Sequence, residues 1–270
     1  MKRLNKILGS SGGSRRLVFG DIGVGKTTFV NVVRSNAYEN GYFTPFKEIA
    51  VQQDWSPLEF ILNTLGGIYG TLKISKNRHI DKYIFDKLII ILDNRQIKDW
   101  NVSLAGTGGG MSTTINTPTL TIQGLETLFQ EVIRSIQEKT GKDIIIHYNN
   151  LELLPEKKLK YLLDNLRDFF QLEGIHFVFV GNLTIYSIIQ SIPRFSSNLN
   201  DTPFHIEALS LKEVEEVLNR WFKALNMEKE EITPIIPYTC DSLEELYRIF
   251  GGNIRDILNS LQVAIIDTTE

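Results

Sequence analysis

Gly20-Asp21-Ile22-Gly23-Val24-Gly25-Lys26-Thr27 decides the reading of this 270-residue chain. The spacing is G-x-x-x-x-G-K-T, the Walker A pattern of a P-loop. Each residue type has a physical reason. Glycines at 20, 23 and 25 let the backbone curl with its N–H groups inward, where a Cβ would block an anion. Lys26 is spaced to reach terminal phosphates, and the Thr27 hydroxyl to ligate Mg²⁺. The flanks agree. Arg16-Leu17-Val18-Phe19 reads as a short buried strand, and from Thr28 onward Phe29, Val30 and Val33 share one helical face. A helix starting at Gly25 aims its positive dipole end at the anion. Strand, loop and helix fall in the required order, so residues 20–28 are expected to hold a nucleoside triphosphate.

The totals set the frame. A chain of 270 residues buries a substantial core, with room for one domain plus a smaller one. Apolar content of 42% and charged content of 23% are ordinary for a globular protein. The net charge of −3 does not indicate DNA as a partner, although a local patch is compatible with it. The single cysteine, Cys240, excludes an internal disulfide and fits a reducing compartment. No apolar run approaches the roughly 20 residues of a membrane span, and residues 1–8 read as a short helix rather than a secretory leader. These features predict a cytoplasmic protein without a membrane segment.

Along the chain, Glu48 to Gln53 reads as a second strand. Ser56-Pro57-Leu58-Glu59 starts a helix with cap, proline and capping-box glutamate. Residues 81–93 read as another apolar helix, with a strand over Ile89 to Leu92 ending in Asp93 as the alternative. Residues 100–105 and 118–122 alternate apolar with polar, which predicts a β-hairpin inserted at about 100–122 around Gly106-Thr107-Gly108-Gly109-Gly110. Leu125 to Ile136 carries a helical stripe closed by Gly141. Ile144 to Tyr148 and Ile175 to Val180 are continuous apolar strands, with a leucine-rich helix between them and a short strand near Phe204. Strands alternating with helices predict an α/β fold with a parallel sheet covered on both faces. From Ser210 onward only helices are expected, started by capping boxes at Ser210-Leu211-Lys212-Glu213 and Ser242-Leu243-Glu244-Glu245. The expected division is 1–208, a P-loop core, and 209–270, a small all-helical lid. His147 and His176 read as packed imidazoles. Arg15-Arg16 and the lysines at 157, 158 and 160 read as solvated faces.

Later segments narrow the class. His147-Tyr148-Asn149-Asn150-Leu151-Glu152 ends a strand where a Walker B acid belongs. About thirty residues on, Gly181-Asn182 ends the next strand, Pro193-Arg194 follows, and the helical region holds Gly251-Gly252-Asn253-Ile254-Arg255. This order resembles the AAA+ ATPases, in particular the origin-recognition-like initiator branch and the STAND-type signalling ATPases, over about residues 15–266. The resemblance implies that Asn182 is a γ-phosphate sensor, Arg255 a second sensor from the lid, and Arg194 an arginine finger reaching a neighbouring subunit. Each also has a plainer reading: Asn182 a helix cap, Arg255 a partner of a surface carboxylate, Arg194 a solvated side chain. The family has Asp then Glu at the Walker B strand end, where this chain has Asn149 and Asn150. An amide neither balances a metal's charge nor accepts a proton. Glu152 can substitute only if the loop bends back.

The expected function is therefore an ATP- and Mg²⁺-binding switch or scaffold with slow or absent hydrolysis. It is expected to assemble with copies of itself or a larger protein assembly. The alternatives are an active ATPase remodelling DNA or protein, with Asp93 or Glu152 as the acid, and a small-molecule P-loop kinase. No N-K-x-D guanine-reading motif is present, which favours adenine.

Overall fold

Strand β1 (Ser14–Gly20) runs straight into the P-loop and then helix α1 (Lys26–Glu39). The structure is a computed structural model that describes residues 12–75, 79–92, 120–199, 202–226 and 238–267. After α1 come β2 (Ile49–Ala50), α2 (Pro57–Ile74), α3 over 82–92, α4 (Ile122–Thr140) and β3 (Ile144–Asn149). Then follow α5 (Glu156–Asn165), β4 (Ile175–Gly181), α6 (Leu183–Gln190), the single turn α7 (Pro193–Ser196) and β5 (Phe204–Ile206). Helices α8 (Leu211–Asn226), α9 (Cys240–Phe250) and α10 (Ile254–Asp267) close the described chain.

The five strands are all parallel, in the order β2-β3-β4-β1-β5. Every residue of β3 is buried, as expected for a strand covered on both faces. On one face α1 sets Val30 against Val18 and Val180. On the other, Phe60, Tyr148, Phe169, Phe170, Phe177 and Phe179 pack edge to face and stacked, all within 2% of full burial. The buried Tyr148 hydroxyl is satisfied by Thr64 Oγ1 at 3.1 Å. Parallel strands place their C-terminal ends on one edge, so the P-loop, Asn149 and Asn182 emerge together.

The caps at Ser56 and Ser210 form as the sequence predicts. The Ser56 N–H donates to Glu59 Oε2 at 2.7 Å, and the Ser210 N–H to Glu213 Oε2 at 2.8 Å. The expected box at Ser242 is displaced. Helix α9 starts at Cys240, and Thr239 is its N-cap, accepting from the Ser242 N–H at 3.2 Å. Two hydroxyl residues three apart both suit a cap, and the earlier one takes it, with the Ser242 hydroxyl answering the Thr239 N–H at 2.9 Å.

Other expectations change with neighbours the sequence cannot show. The strand expected over 48–53 pairs only at Ile49–Ala50, because it lies at the sheet edge. Residues 82–92 are helical with Leu88 buried, which removes the strand over Ile89 to Leu92; Asp93 lies outside the described residues. At the far end of the expected hairpin, Thr121 is instead the N-cap of α4, accepting from Gly124 N–H at 3.1 Å. The remainder of the hairpin, 100–119, and the helix expected at 1–8 lie outside the described residues. Arg15 and Arg16 are half-buried within β1, not a solvated face, and Arg15 Nε donates to the Phe170 carbonyl.

After β5 the regular elements among the described residues are helices. Val214, Leu218, Phe222, Leu243, Ile257 and Leu261 form a separate, smaller core shared by α8, α9 and α10. Among the described residues no helix is long and apolar enough to cross a membrane.

Candidate nucleotide site

Two glycines shape the loop after β1. Gly25 is the N-cap of α1 with φ of 94°, and Gly23 has φ of 86°, both in the region that side chains resist. A Cβ on Gly23 would also collide with the Asn253 side chain, which caps α10 by accepting from the Asp256 N–H at 3.3 Å. The loop thus touches the helical region directly. Helix α1, fourteen residues long, turns its N-terminus toward the same space.

That space is a cleft of about 370 Å³. Ile22, Gly23, Gly25, Lys26, Thr27 and Thr28 form its floor, and Asn149, Asn150 and Glu152 form one wall. Arg255 closes it from the helical side, with Ile254, Leu258 and Asn259. Lys26 Nζ donates to the carbonyls of Gly20 at 3.0 Å and Asp21 at 2.7 Å. Burial lowers its pKa, Glu152 and Asp21 pull it back up, and Arg255 pushes it down. Lys26 is therefore within electrostatic reach of Glu152 and Arg255, which come from two other elements.

The bend that Glu152 needs is present. Asn150 adopts φ of 63°, the one positive value at a non-glycine among the described residues. Asparagine tolerates that conformation better than most. A single 3₁₀ turn, Leu151–Leu153, follows and brings Glu152 back to the wall.

The corner where Thr27 meets β3 holds a residue that sequence reading missed. Asn149 Nδ2 donates to Thr27 Oγ1 at 3.1 Å and to Glu48 Oε1 at 3.2 Å. Glu48 Oε2 lies 3.4 Å from His147 Nε2. His147 is buried, and burial first, then the nearby Arg34, pushes its pKa down to about 4, so the ring is neutral near pH 7. Linear spacing suggested no carboxylate beside His147 or His176. The fold supplies Glu48 to the first and Asp143, at 3.4 Å, to the second. Both rings are packed, as expected.

The remaining expected residues sit elsewhere. Gly20 ends β1, Asp21 is exposed, and Val24 is buried beneath the loop. None of the three lines the cleft. Asn182 follows β4 beside the loop, and its side chain caps α6 by accepting from the Ile185 N–H at 3.0 Å. Arg194 is exposed on α7 and does not line the cleft.

The bare backbone at Gly23 and Gly25, the α1 terminus and Lys26 fit a polyphosphate. Among the described residues no three His, Cys, Asp or Glu side chains could hold a metal together. A divalent cation would fit here only with phosphate oxygens as its main ligands and the Thr27 hydroxyl beside them.

A parallel sheet with this cradle at the end of β1 and a helical region against it is a P-loop NTPase. The sequence matches the KAP family P-loop domain over residues 2–264, and the chain belongs to that family. No curated protein matches the sequence. Among solved structures, it is similar to the Aeropyrum pernix ORC1 protein in complex with DNA, at 15% identity and a TM-score of 0.56. The match covers 100% of this chain and 59% of that one. It is also similar to Drosophila ORC bound to DNA, at 10% identity and a TM-score of 0.58, over 98% of this chain and 59% of that one. At such identities the likeness is one of fold. It agrees with the expected fold, a parallel-sheet P-loop core followed by helices.

Proposed function

We propose that the chain binds ATP with Mg²⁺ and acts as a nucleotide-dependent switch or scaffold, with slow or absent hydrolysis. The observation that carries this reading is that two cations, Lys26 and Arg255, line one cleft whose Thr27 corner holds an amide, Asn149. The loop N–H groups and Lys26 bind the phosphates. Mg²⁺, when bound, would neutralise phosphate charge. Thr27 offers it a hydroxyl, and Asn149 holds that hydroxyl without adding negative charge or a proton acceptor.

Residues 209–270 serve in this reading as a lid. Arg255 reports on the terminal phosphate, and Asn253 against Gly23 ties lid position to the shape of the loop. Asn182 is read as the core's own sensor and Arg194 as a finger offered to a second copy or a larger assembly, as in the initiator and STAND-type branches. The exposure of Arg194 agrees with a role across a subunit contact. Adenine is the preferred base, the cytoplasm the preferred location, and DNA a partner that the net charge does not favour.

Nucleotide binding and turnover measured on the same preparation test this. ATP binding with turnover far below the ~1 s⁻¹ of ordinary enzymes is expected. Failure to retain ATP with Mg²⁺ overturns the reading. One observation favours a second reading: Glu152 does reach the cleft wall. Fast turnover, lost in Glu152→Gln and in Arg194→Ala, would make the chain an active ATPase remodelling DNA or protein.

A further inference from the structure

We propose that Glu48 supplies the negative charge of the metal corner, acting as a positioning residue that sets Asn149 and Thr27 toward a nucleotide-bound divalent cation. The inference rests on the ATP and Mg²⁺ reading above.

The sheet makes the placement. Ile49 pairs with Tyr148 and Ala50 with Asn149, so Glu48 comes level with His147, on the face that carries Asn149. Asn149 Nδ2 donates to two oxygens, Thr27 Oγ1 at 3.1 Å and Glu48 Oε1 at 3.2 Å. Both amide hydrogens are therefore used, one on the hydroxyl of the P-loop and one on a carboxylate. An aspartate at 149 would face Glu48 at about the same separation, and two carboxylates that close disfavour a second charge. Asparagine at 149 and glutamate at 48 thus form a complementary pair. One carboxylate serves the corner, and it stands just before the edge strand β2 instead of on β3.

The surroundings keep that charge in place. Arg34 is buried, with donors to Thr44 Oγ1 at 3.1 Å, to Asn31 Oδ1 at 3.1 Å and to the Pro45 carbonyl, and it feels Glu48 as its opposing charge. On the other side His147 Nε2 lies 3.4 Å from Glu48 Oε2, which leaves Oε1 to Asn149. The Glu48 side chain is 31% exposed and does not line the cleft, so its influence passes through Asn149. A purely structural role is the rival account: Glu48 would then be only the counter-charge of Arg34.

The test uses the full chain and a fluorescent ATP analogue, titrated in Mg²⁺ and in EDTA, with thermal unfolding of each variant without ligand. Wild type should bind more tightly in Mg²⁺. Glu48→Gln should lose about tenfold or more of that gain, the scale of losing a residue that orients a metal ligand, with its affinity in EDTA unchanged. Glu48→Gln combined with Asn149→Asp should recover the gain, because the carboxylate returns to β3. Weakening by the same factor in Mg²⁺ and EDTA, together with a lower Tm, would show a structural counter-charge and overturn the proposal. So would an unaltered Mg²⁺ gain. Should Glu48→Gln alone fail to fold, the double variant decides: a gain like that of wild type supports the proposal and none overturns it. A wild-type chain that binds no analogue removes the ATP reading itself, a result distinguishable from either.

Discussion

The sheet and the helical region after it are held together in different ways. The sheet is filled from both sides and carries a block of six aromatic rings at its centre. The helices after β5 share only Val214, Leu218, Phe222, Leu243, Ile257 and Leu261 as fully buried apolar side chains among the described residues. Stability within a protein is not uniform, and parts with few buried apolar contacts open at lower cost. The cleft lies between the two parts, with Lys26 contributed by one and Arg255 by the other. In the proposed switch, the sheet would be the rigid floor and the lightly held helical region the lid.

The largest expected effect breaks the sheet. Phe177→Ala removes a fully buried ring and should cost about 3–5 kcal/mol. The whole chain should lose its cooperative unfolding transition together. Leu218→Ala in the smaller core should instead loosen α8 to α10, with part of the helical circular dichroism lost at a lower temperature while slow hydrogen exchange in β3 and β4 persists. If both variants melt in one step at the same temperature, the two parts are a single cooperative unit and the contrast fails.

Lys26→Ala comes next. It leaves the packing of both parts alone but removes a cation from the floor. Charge-assisted hydrogen bonds are worth about 1.5–3 kcal/mol, so ATP affinity should fall by roughly tenfold to a hundredfold, while Tm in the absence of nucleotide should fall much less than in Phe177→Ala, since only the two bonds to loop carbonyls are lost. Isothermal titration and thermal scans on the same sample read both.

The third prediction concerns pH and falls on the sheet side alone. Burial and Arg34 hold His147 down to about 4, with Glu48 pulling the other way. In the unfolded chain a histidine titrates near 6.5. Between these values the unfolded state binds more protons, so stability is full above about pH 6.5 and is lost as pH falls toward 4. At about 1.4 kcal/mol per pH unit, the loss by pH 5 approaches 2 kcal/mol. Denaturant midpoints at pH 7 and 5 measure it; burial also lowers the His176 pKa, so His147→Gln should weaken the dependence, and His147→Gln with His176→Gln should weaken it further.

What could be read from the sequence divides along the same line as the energetics. The loop, β3 and β4 were legible because their demands are local: glycines where φ is positive, and unbroken apolar residues where a strand is covered twice. Helix α3 was legible in kind, since its apolar residues repeat at helical spacing. Its alternative as a strand fails because Leu88 is buried as part of a helix that runs through 92. Glu48 was not legible. It stands 99 positions from His147 in the chain, and only the pairing of a two-residue edge strand brings them together. The Gly23 and Asn253 contact was hidden for the same reason. The glycine was recognised, but the nearer reason for its bareness is a side chain 230 positions away, not only a phosphate. Asn182 shows a different limit. The resemblance implies a sensor there, and the structure shows the side chain capping α6, the plainer of the two readings that the sequence allows.

Arg255→Ala is the smallest effect and the sharpest test of a rigid floor beneath a responsive lid. The side chain is exposed, and its charge acts across open solvent, so its contribution to affinity should be at most about 1 kcal/mol, or roughly fivefold. The informative quantity is the difference between ATP and ADP. If the lid is drawn down by the terminal phosphate, wild type should show slower hydrogen exchange in α8 to α10 with ATP than with ADP, and Arg255→Ala should erase that difference. Exchange in β3 and β4 should be the same in both proteins. Equal protection of the lid by ATP and ADP in wild type would mean that the third phosphate is read elsewhere, with Asn182 the next residue to remove. Asn253→Ala would then separate the two remaining routes. It leaves every charge in the cleft but removes the side chain that rests on Gly23, so a lid still protected in that variant is held by electrostatics and not by the shape of the loop.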